Sequence, residues 1–365
     1  MVQPPPNVRP RAVPPVPFAP TPQERVRAFL KKHGKKLWWL HSVYALGLGI
    51  SVVAFAQKGF DHARWLAVSV GAAWLLVVLF FRVHGSGRAQ APLGDASTKH
   101  RVRFFAMTYA LKNLYQGMLF FLLPFYWKAT TFWTHNSWFV LLLGLCAFLS
   151  TLDIVFDRVV FRSRALASLF NGVAIFGCLN LVVPALFPDT RTLYSLLLAA
   201  GITVVAFWTI HMSLAMLKDR RWIMLFFATL AGALGLVHSA RAAIPPVPMY
   251  VSKGAVGPMV MKNGELGMIV HELHPSVIDK LIAITDVVVP GGKGDSLVHV
   301  WRHDNDEVHR AMETTSKVDG PEGTVRLRSG LMGRDLPKRL VGRWTVDVET
   351  QDGQLVGRVG FLVAD

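Results

Sequence analysis

Seven apolar stretches, each long enough to cross a bilayer, occupy residues 37–240, and a polar, β-patterned tail of about 120 residues follows. A span needs roughly 20 consecutive apolar residues, because the hydrocarbon core is about 30 Å thick and a helix rises about 1.5 Å per residue. The stretches are Leu37–Gln57, Arg64–Phe81, Phe104–Trp127, Trp138–Phe156, Ala165–Phe187, Thr192–Leu217 and Trp222–Ala240. The second is the shortest and the third the most polar. Trp38, Trp39, Trp65, Trp127, Trp133, Trp138 and Trp222 stand at or near stretch ends. Indole rings prefer that level, with the ring body in acyl chain and the N–H among headgroups. The expected architecture is an α-helical polytopic membrane domain of seven spans (37–240) that carries a soluble C-terminal domain.

Charge sets the expected orientation. Arg25, Arg27, Lys31, Lys32, Lys35 and Lys36 precede the first stretch. The second connection holds Arg82, Arg88, Lys99, Arg101 and Arg103, the fourth Arg158, Arg162 and Arg164, and the sixth Lys218, Arg220 and Arg221. The alternate connections hold only Lys58, Arg64, Lys128 and Arg191. Basic loops on one side are the positive-inside pattern, so seven spans put the N-terminus in the cytoplasm and the tail outside.

The formal net charge of +16 divides unevenly. From residue 246 onward there are 14 Lys+Arg against 16 Asp+Glu, which leaves 25 against 7 for the membrane half. The basicity therefore reports orientation and attraction to anionic lipid. No basic face alternates with stacking aromatics, which argues against a nucleic-acid partner. The partner that the composition demands is the lipid bilayer.

Residues 1–20 are Pro-rich and are expected to be disordered or polyproline II, either as a solvated cytoplasmic tail or as a ligand for an adaptor. Thr21-Pro22-Gln23-Glu24 reads as a capping box that opens a short basic interfacial helix over 21–36, with Val26, Phe29 and Leu30 toward the inner leaflet. No cleavable signal peptide precedes it, so the first span is expected to serve as insertion signal. The only cysteines, Cys146 and Cys178, lie inside predicted spans. The outer domain therefore folds without disulfides, a Cys-based zinc site is excluded, and no cofactor is implied.

Residues 241–265 carry Pro245, Pro246, Pro248, Gly254, Gly257 and Gly264 and read as a linker with an irregular first strand. Beyond it, over 266–365, the tail reads as β. Leu281–Val289, Leu297–His303, Glu307–Glu313, Thr324–Arg328, Val341–Thr350 and Gln354–Val363 are short runs rich in β-branched residues. Asp352-Gly353 predicts a two-residue hairpin turn, and Asp304-Asn305 a turn between the earlier pair. Trp344, Val346 and Val348 alternate with Arg343, Thr345 and Asp347, giving one buried and one wet face. Six to eight such strands predict an all-β antiparallel sandwich, immunoglobulin-like as first expectation.

The tail resembles the bacterial domain of unknown function DUF2914. The residues that carry the resemblance are His299, Trp301, Arg326 to Ser329, Gly342, Trp344, Val346, Val348, Gly353, Phe361 and Val363, with a departure at Arg328 where the family often has an aromatic. The membrane half is similar to the companion family DUF5924. The pair implies a bacterial envelope protein in the inner (cytoplasmic) membrane, with the C-terminal domain periplasmic or extracellular. It implies no activity.

Ionisable groups within spans are the first candidates for chemistry, because burying charge in lipid costs at least a few kcal/mol. Lys112, Asp153 and His211 qualify, joined by Asn113, Gln116, Asn171 and Asn180. Rise counting puts Lys112, Asp153, Asn171 and His211 in the cytoplasmic half of the bilayer. They form either a polar cavity for a proton or substrate, or a Lys112–Asp153 pair and interhelical hydrogen bonds that fix packing. No intramembrane hydrolase signature and no inverted repeat of broken helices is evident.

In the tail, His299, Trp301 and His303 share a strand face by their spacing of two. Two imidazoles there could chelate a metal; Asp304 and Asp306 are in the adjoining turn, but the sequence does not place a carboxylate beside them, so no metal site is assigned. Trp301 with Arg302 or Arg326 could instead form a platform for a sugar or lipid headgroup. The expected function is an integral membrane protein that presents a β-sandwich to an envelope partner, whether glycan, lipid or protein. The alternative is a transporter or lipid-handling protein that uses the inner polar cluster. An enzyme with an unfamiliar site is a third class, and no residue is assigned as catalytic.

Overall fold

A computed structural model describes residues 63–84, 98–152, 156–161, 163–187, 189–213, 216–262, 264–289, 295–312, 314–317 and 323–365, with Val43, Leu46 and Gly47. The chain divides into two units, Met1–Tyr44 and Ala45–Asp365. Of the first, only Val43 is described. The Pro-rich tail, the interfacial helix, nearly all of the first apolar stretch and Asp153 lie outside the described residues.

Six α-helices are described: α1 (Ala63–His84), α2 (Thr98–Lys128), α3 (Ser137–Thr151), α4 (Arg164–Leu186), α5 (Thr192–His211) and α6 (Arg220–Ser239). The expected seven spans are corrected here: among these six helices, α4, α5 and α6 are long and apolar enough to cross a bilayer. In α1 the apolar run is the shorter Leu66–Phe80. In α3 there are 15 residues, about 22 Å of rise against a core of about 30 Å. With 31 residues α2 is the longest, but Lys112, Asn113 and Gln116 interrupt its apolar run. The helices mark a multi-pass membrane protein.

Their shared core includes Tyr115, Leu119 and Leu122 of α2, Leu143 of α3, Phe156 of a π-helical turn (Phe156–Val160), and Ile175 and Cys178 of α4. Gly177 permits the close approach of α2, α3 and α4: a Cβ there would stand 3.1 Å from Leu143 and 3.2 Å from Leu122. Trp208 Nε1 of α5 donates to Thr229 Oγ1 of α6 at 2.7 Å. Leu141, Leu145 and Phe148 of α3 and Met224, Phe227 and Leu236 of α6 face outward, an apolar surface suited to acyl chains rather than water.

Helix starts follow ordinary capping chemistry at α4 and α6. Ser163 accepts from the Leu166 N–H, and Asp219 accepts from the Arg221 N–H at 2.9 Å. The start of α5 has no such local cap at Arg191. It is capped from elsewhere in the chain.

Among the described residues, the C-terminal region holds nine strands in two sheets: β1 (Tyr250–Gly257), β2 (Glu272–Leu273), β3 (Lys280–Val288), β4 (Leu297–His303), β5 (Asp306–Met312), β6 (Thr314–Lys317), β7 (Thr324–Met332), β8 (Gly342–Thr350) and β9 (Leu355–Val363). One sheet has the order β1-β3-β7-β6, the other β2-β9-β8-β4-β5. The six expected runs correspond to β3, β4, β5, β7, β8 and β9. Two short strands, β2 and β6, lacked a readable alternation. The pairing is not wholly antiparallel, since β2 runs parallel to β9.

Inward side chains of both sheets build one core. Val256, Leu281, Ala283 and Leu331 from the first meet Trp301, Trp344, Val346, Phe361 and Val363 from the second. Asp304 and Asn305 form the two-residue turn between β4 and β5, both at positive φ (50° and 78°). The β8–β9 turn is one residue longer than expected. Gly353, at φ 82°, closes a three-residue loop in which the Thr350 N–H donates to Gln354 O at 2.9 Å.

Candidate functional site

The inner polar residues largely bond to one another. Tyr115 OH of α2 donates to Asn171 Oδ1 of α4 at 2.6 Å. Ser168, one turn before Asn171, lies 2.8 Å from His211 Nε2 of α5. Lys112 is buried, with its ammonium 5.5 Å from the centre of the Tyr109 ring. Nearer the other helix end, Asn180 donates to Tyr126 OH, which donates on to Gly177 O at 3.0 Å. Reciprocal bonds of this kind are what helix packing in lipid requires. Lys112, Asn171 and His211 thus lie on three adjoining helices, while Asp153 falls outside the described residues.

The expected ligand face on β4 is corrected. His299 and Trp301 are both 0% exposed and lie between the sheets. Each His299 nitrogen meets a hydroxyl, Nε2 at 2.7 Å from Thr285 Oγ1 and Nδ1 at 2.8 Å from Ser329 Oγ. Trp301 Nε1 donates to the same Ser329 oxygen at 2.9 Å. Burial pushes the His299 pKa down to about 4. This imidazole is a core group, closed to ligands, because strand alternation turned it inward with Trp301. His303 is half-buried against the Trp344 ring, 4.7 Å between centres, with Nε2 3.1 Å from Val341 O. Arg326 grips Asp286 on the neighbouring strand with bonds of 2.6 and 2.8 Å. The four residues therefore do not assemble into one open face.

The outer side of β9-β8-β4-β5 carries an unbroken ladder of charge. Arg358 and Arg302 both bind Asp347, Arg302 also binds Glu349, and Arg310 joins Glu349 to Glu307. Three cations balance three anions, so this face is closed on itself. Cross-strand placement by register explains it, since Arg358 stands opposite Asp347 on the adjoining strand.

A built junction ties the β region to helix ends. Arg191 donates to both Asp352 carboxylate oxygens at 2.8 Å, and Arg241 donates to the Asp352 backbone carbonyl. Asp295, before β4, accepts from the Thr192 N–H at 2.9 Å and so caps α5. Burial raises its carboxyl above the ordinary value. The Gln354 amide donates to Ile244 O at 3.3 Å, and Asn136 reaches Leu355 O at 3.4 Å. Ile244 to Met249 between α6 and β1 are buried, so the Pro-rich linker is part of the packing.

Beside this junction is a cleft of about 420 Å³, lined by Lys128 at the end of α2 and Thr130 and Thr131 after it, by Val251 to Gly254 of β1, and by Val356 to Gly360 of β9. Glycines let the two strands cross closely: a Cβ on Gly254 would meet Val359, and one on Gly357 would meet Val251, each under 3.0 Å. Among the described residues, the lining contains three cations and no carboxylate. Arg358 is neutralised by Asp347, whereas Lys128 and Lys253 have no ion-pair partner among the described residues. By sequence Lys128 belongs to an outer connection and Lys253 to the linker with its irregular first strand. Only the fold brings them together, and no spacing in the sequence signals it.

No curated protein and no solved structure matches this chain. A family of unknown function, DUF5924, matches residues 20–276, and a protein of unknown function, DUF2914, matches residues 294–363. The first match therefore runs through the helices and on into β1 and β2, the strands that border the second. Covering more than half of the residues, it shows that the chain belongs to the DUF5924 family, with a DUF2914 region following.

Proposed function

We propose that this protein is a membrane-anchored recognition module of the bacterial envelope, whose helices hold a β domain at the outer face of the inner membrane to bind a glycan, lipid or protein there. The observation that carries this reading is the junction itself. A tether would need only a flexible linker. Here Asp295 supplies the cap of α5, and Arg191 and Arg241 converge on Asp352, so the β domain is held at a fixed height and angle. Fixed placement has a use when a partner must be met at the membrane surface.

The outward orientation is supported by the loop charges. At the junction end the connections bring only Lys128, Arg191 and Arg241, the last two held by Asp352, while Lys218, Arg220 and Arg221 cluster at the far end of α5 and α6. An immunoglobulin-like sandwich is supported by the strand order. In that fold one sheet reads A-B-E-D and the other holds G, F and C, with a buried Trp on strand C. In chain order β1, β3, β7 and β6 take the first set, β9, β8 and β4 the second, and Trp301 lies on β4.

The test uses the full chain in nanodiscs, with thermal unfolding followed against cell-wall fragments, glycans, anionic lipids and soluble envelope proteins. A bound partner at 100 times its dissociation constant stabilises by about 2.7 kcal/mol. A reproducible rise in midpoint with one class supports the reading. Absence of any shift across all classes refutes it.

A further inference from the structure

The cleft lined by Lys128 and Lys253 joins two features. The first is open backbone. As the last strand of its sheet, β1 pairs only with β3 from Tyr250 to Ala255. On its far side β9 pairs with β2 only at Leu362 and Val363, leaving Val356 to Gly360 without a strand there among the described residues. One open edge from each sheet therefore borders the same cleft. The second feature is position. The segment that supplies Lys128, Thr130 and Thr131 also carries Trp127, Trp133 and Trp138, which are 62%, 100% and 73% exposed. Large exposed indoles flanking an apolar helix mark the headgroup level of a bilayer.

Open strand edges attract either a polypeptide strand or an anion that accepts from their N–H groups. Lys253 stands on the β1 edge, and charged residues on edges deter strand addition. The Thr131 hydroxyl, two ammonium groups and the lack of any carboxylate among the described lining residues favour an anion. The size is that of a small-molecule site, large enough for a phosphate and the glycerol attached to it.

We propose that this cleft binds the phosphate headgroup of an anionic membrane lipid, with Lys128 and Lys253 as its charge partners. The inference rests on the recognition-module reading and gives it a ligand class. Lys128 reaches the site from the helix end, its ammonium 5.7 Å from the centre of the Tyr250 ring, and Lys253 reaches it from the β domain. A bound headgroup thus bridges the two parts of the chain, and the diacyl tail lies in the leaflet beside the exposed indoles.

Native mass spectrometry of the full chain, titrated with phosphatidylglycerol or phosphatidylcholine, tests this directly. Lys128→Gln/Lys253→Gln is compared with Lys262→Gln, which removes an exposed charge outside the cleft. All three lysines are exposed, so the fold is retained. The wild type and K262Q should prefer phosphatidylglycerol, and the double variant should bind it about thirtyfold more weakly, at about 1 kcal/mol per lysine. Inorganic phosphate in excess should not displace the lipid; displacement would assign the site to a soluble phosphate and overturn the lipid proposal. Equal affinity in wild type and double variant also overturns it, and leaves the open edges to a polypeptide strand. Equal affinity here together with a glycan-induced stability shift in nanodiscs would remove the lipid site while keeping the module.

Discussion

Asp352 lies at the tip of the β8–β9 turn and Arg191 just before α5, yet the guanidinium donates to both carboxylate oxygens at 2.8 Å across 161 positions of sequence. The pair is partly shielded, with side chains 34% and 16% exposed. Removing either partner should therefore cost more than an exposed ion pair, about 1–2 kcal/mol. Arg191→Ala and Asp352→Ala should each speed hydrogen exchange at Gly353 and Gln354 by about tenfold, because the turn opens locally. The double variant should cost little more than either single, since both remove one contact. Additive losses would show that the two residues act independently.

The Asp295 carboxylate does for α5 what Ser163 and Asp219 do locally for α4 and α6. Asp295→Ala leaves the Thr192 N–H without an acceptor and should destabilise the start of α5 by about 1 kcal/mol. Asp295→Asn keeps an acceptor oxygen and should recover most of that. Exchange at Thr192 and its neighbours reads the effect, and equal protection in wild type and Asp295→Ala would mean that the cap is made by another group.

His299 gives the β domain a pH response. Its folded pKa is about 4 against an ordinary 6.5, because a charged imidazole would be stranded between the sheets among Thr285, Ser329 and Trp301. Between those values the unfolded chain binds the extra proton and the folded chain does not, so stability rises with pH through this window. Acidification from pH 6.5 to pH 4 should remove about 3 kcal/mol. His299→Gln, which keeps a polar group of similar reach, should flatten that part of the profile. A wild-type profile that is already flat would place the imidazole in contact with solvent.

Much of the architecture was legible because it rests on period and composition. Apolar length marked the helices, and β-branched runs found β3, β4, β5, β7, β8 and β9 within a few residues. Alternation also misled, because it fixes which residues share a face and not which face is buried. His299 and Trp301 do share a face, and it is the inner one. The junction was not legible at all. Arg191, Asp295 and Asp352 are ordinary loop residues, and their meeting depends on how the sheets dock on helix ends. Span counting failed because apolar length does not fix where a helix begins and ends: the third stretch lies in a helix of 31 residues and the fourth in one of 15.

The outer charge ladder separates buried from exposed ion pairs. Asp347 is 1% exposed and holds both Arg302 and Arg358. Asp347→Ala leaves two partly buried guanidinium groups facing each other and should cost about 3–5 kcal/mol. Glu307, at the rim, is 40% exposed and binds Arg310. Glu307→Ala should cost under about 1 kcal/mol, and less at high salt. Chemical denaturation of the two variants compares them, and similar losses would show that the ladder acts as a single unit.

Orientation can be read with single new thiols, because Cys146 and Cys178 are both buried in the helix packing. Lys262 and Lys218 are exposed, the first in the β region and the second between α5 and α6. Lys262→Cys should react with a membrane-impermeant maleimide in intact spheroplasts. Lys218→Cys should react only after permeabilisation. The reverse pattern would put the β domain in the cytoplasm, where Lys128 and Lys253 would face the inner leaflet and the basic loops the outside, against the charge rule that bacterial membrane proteins follow.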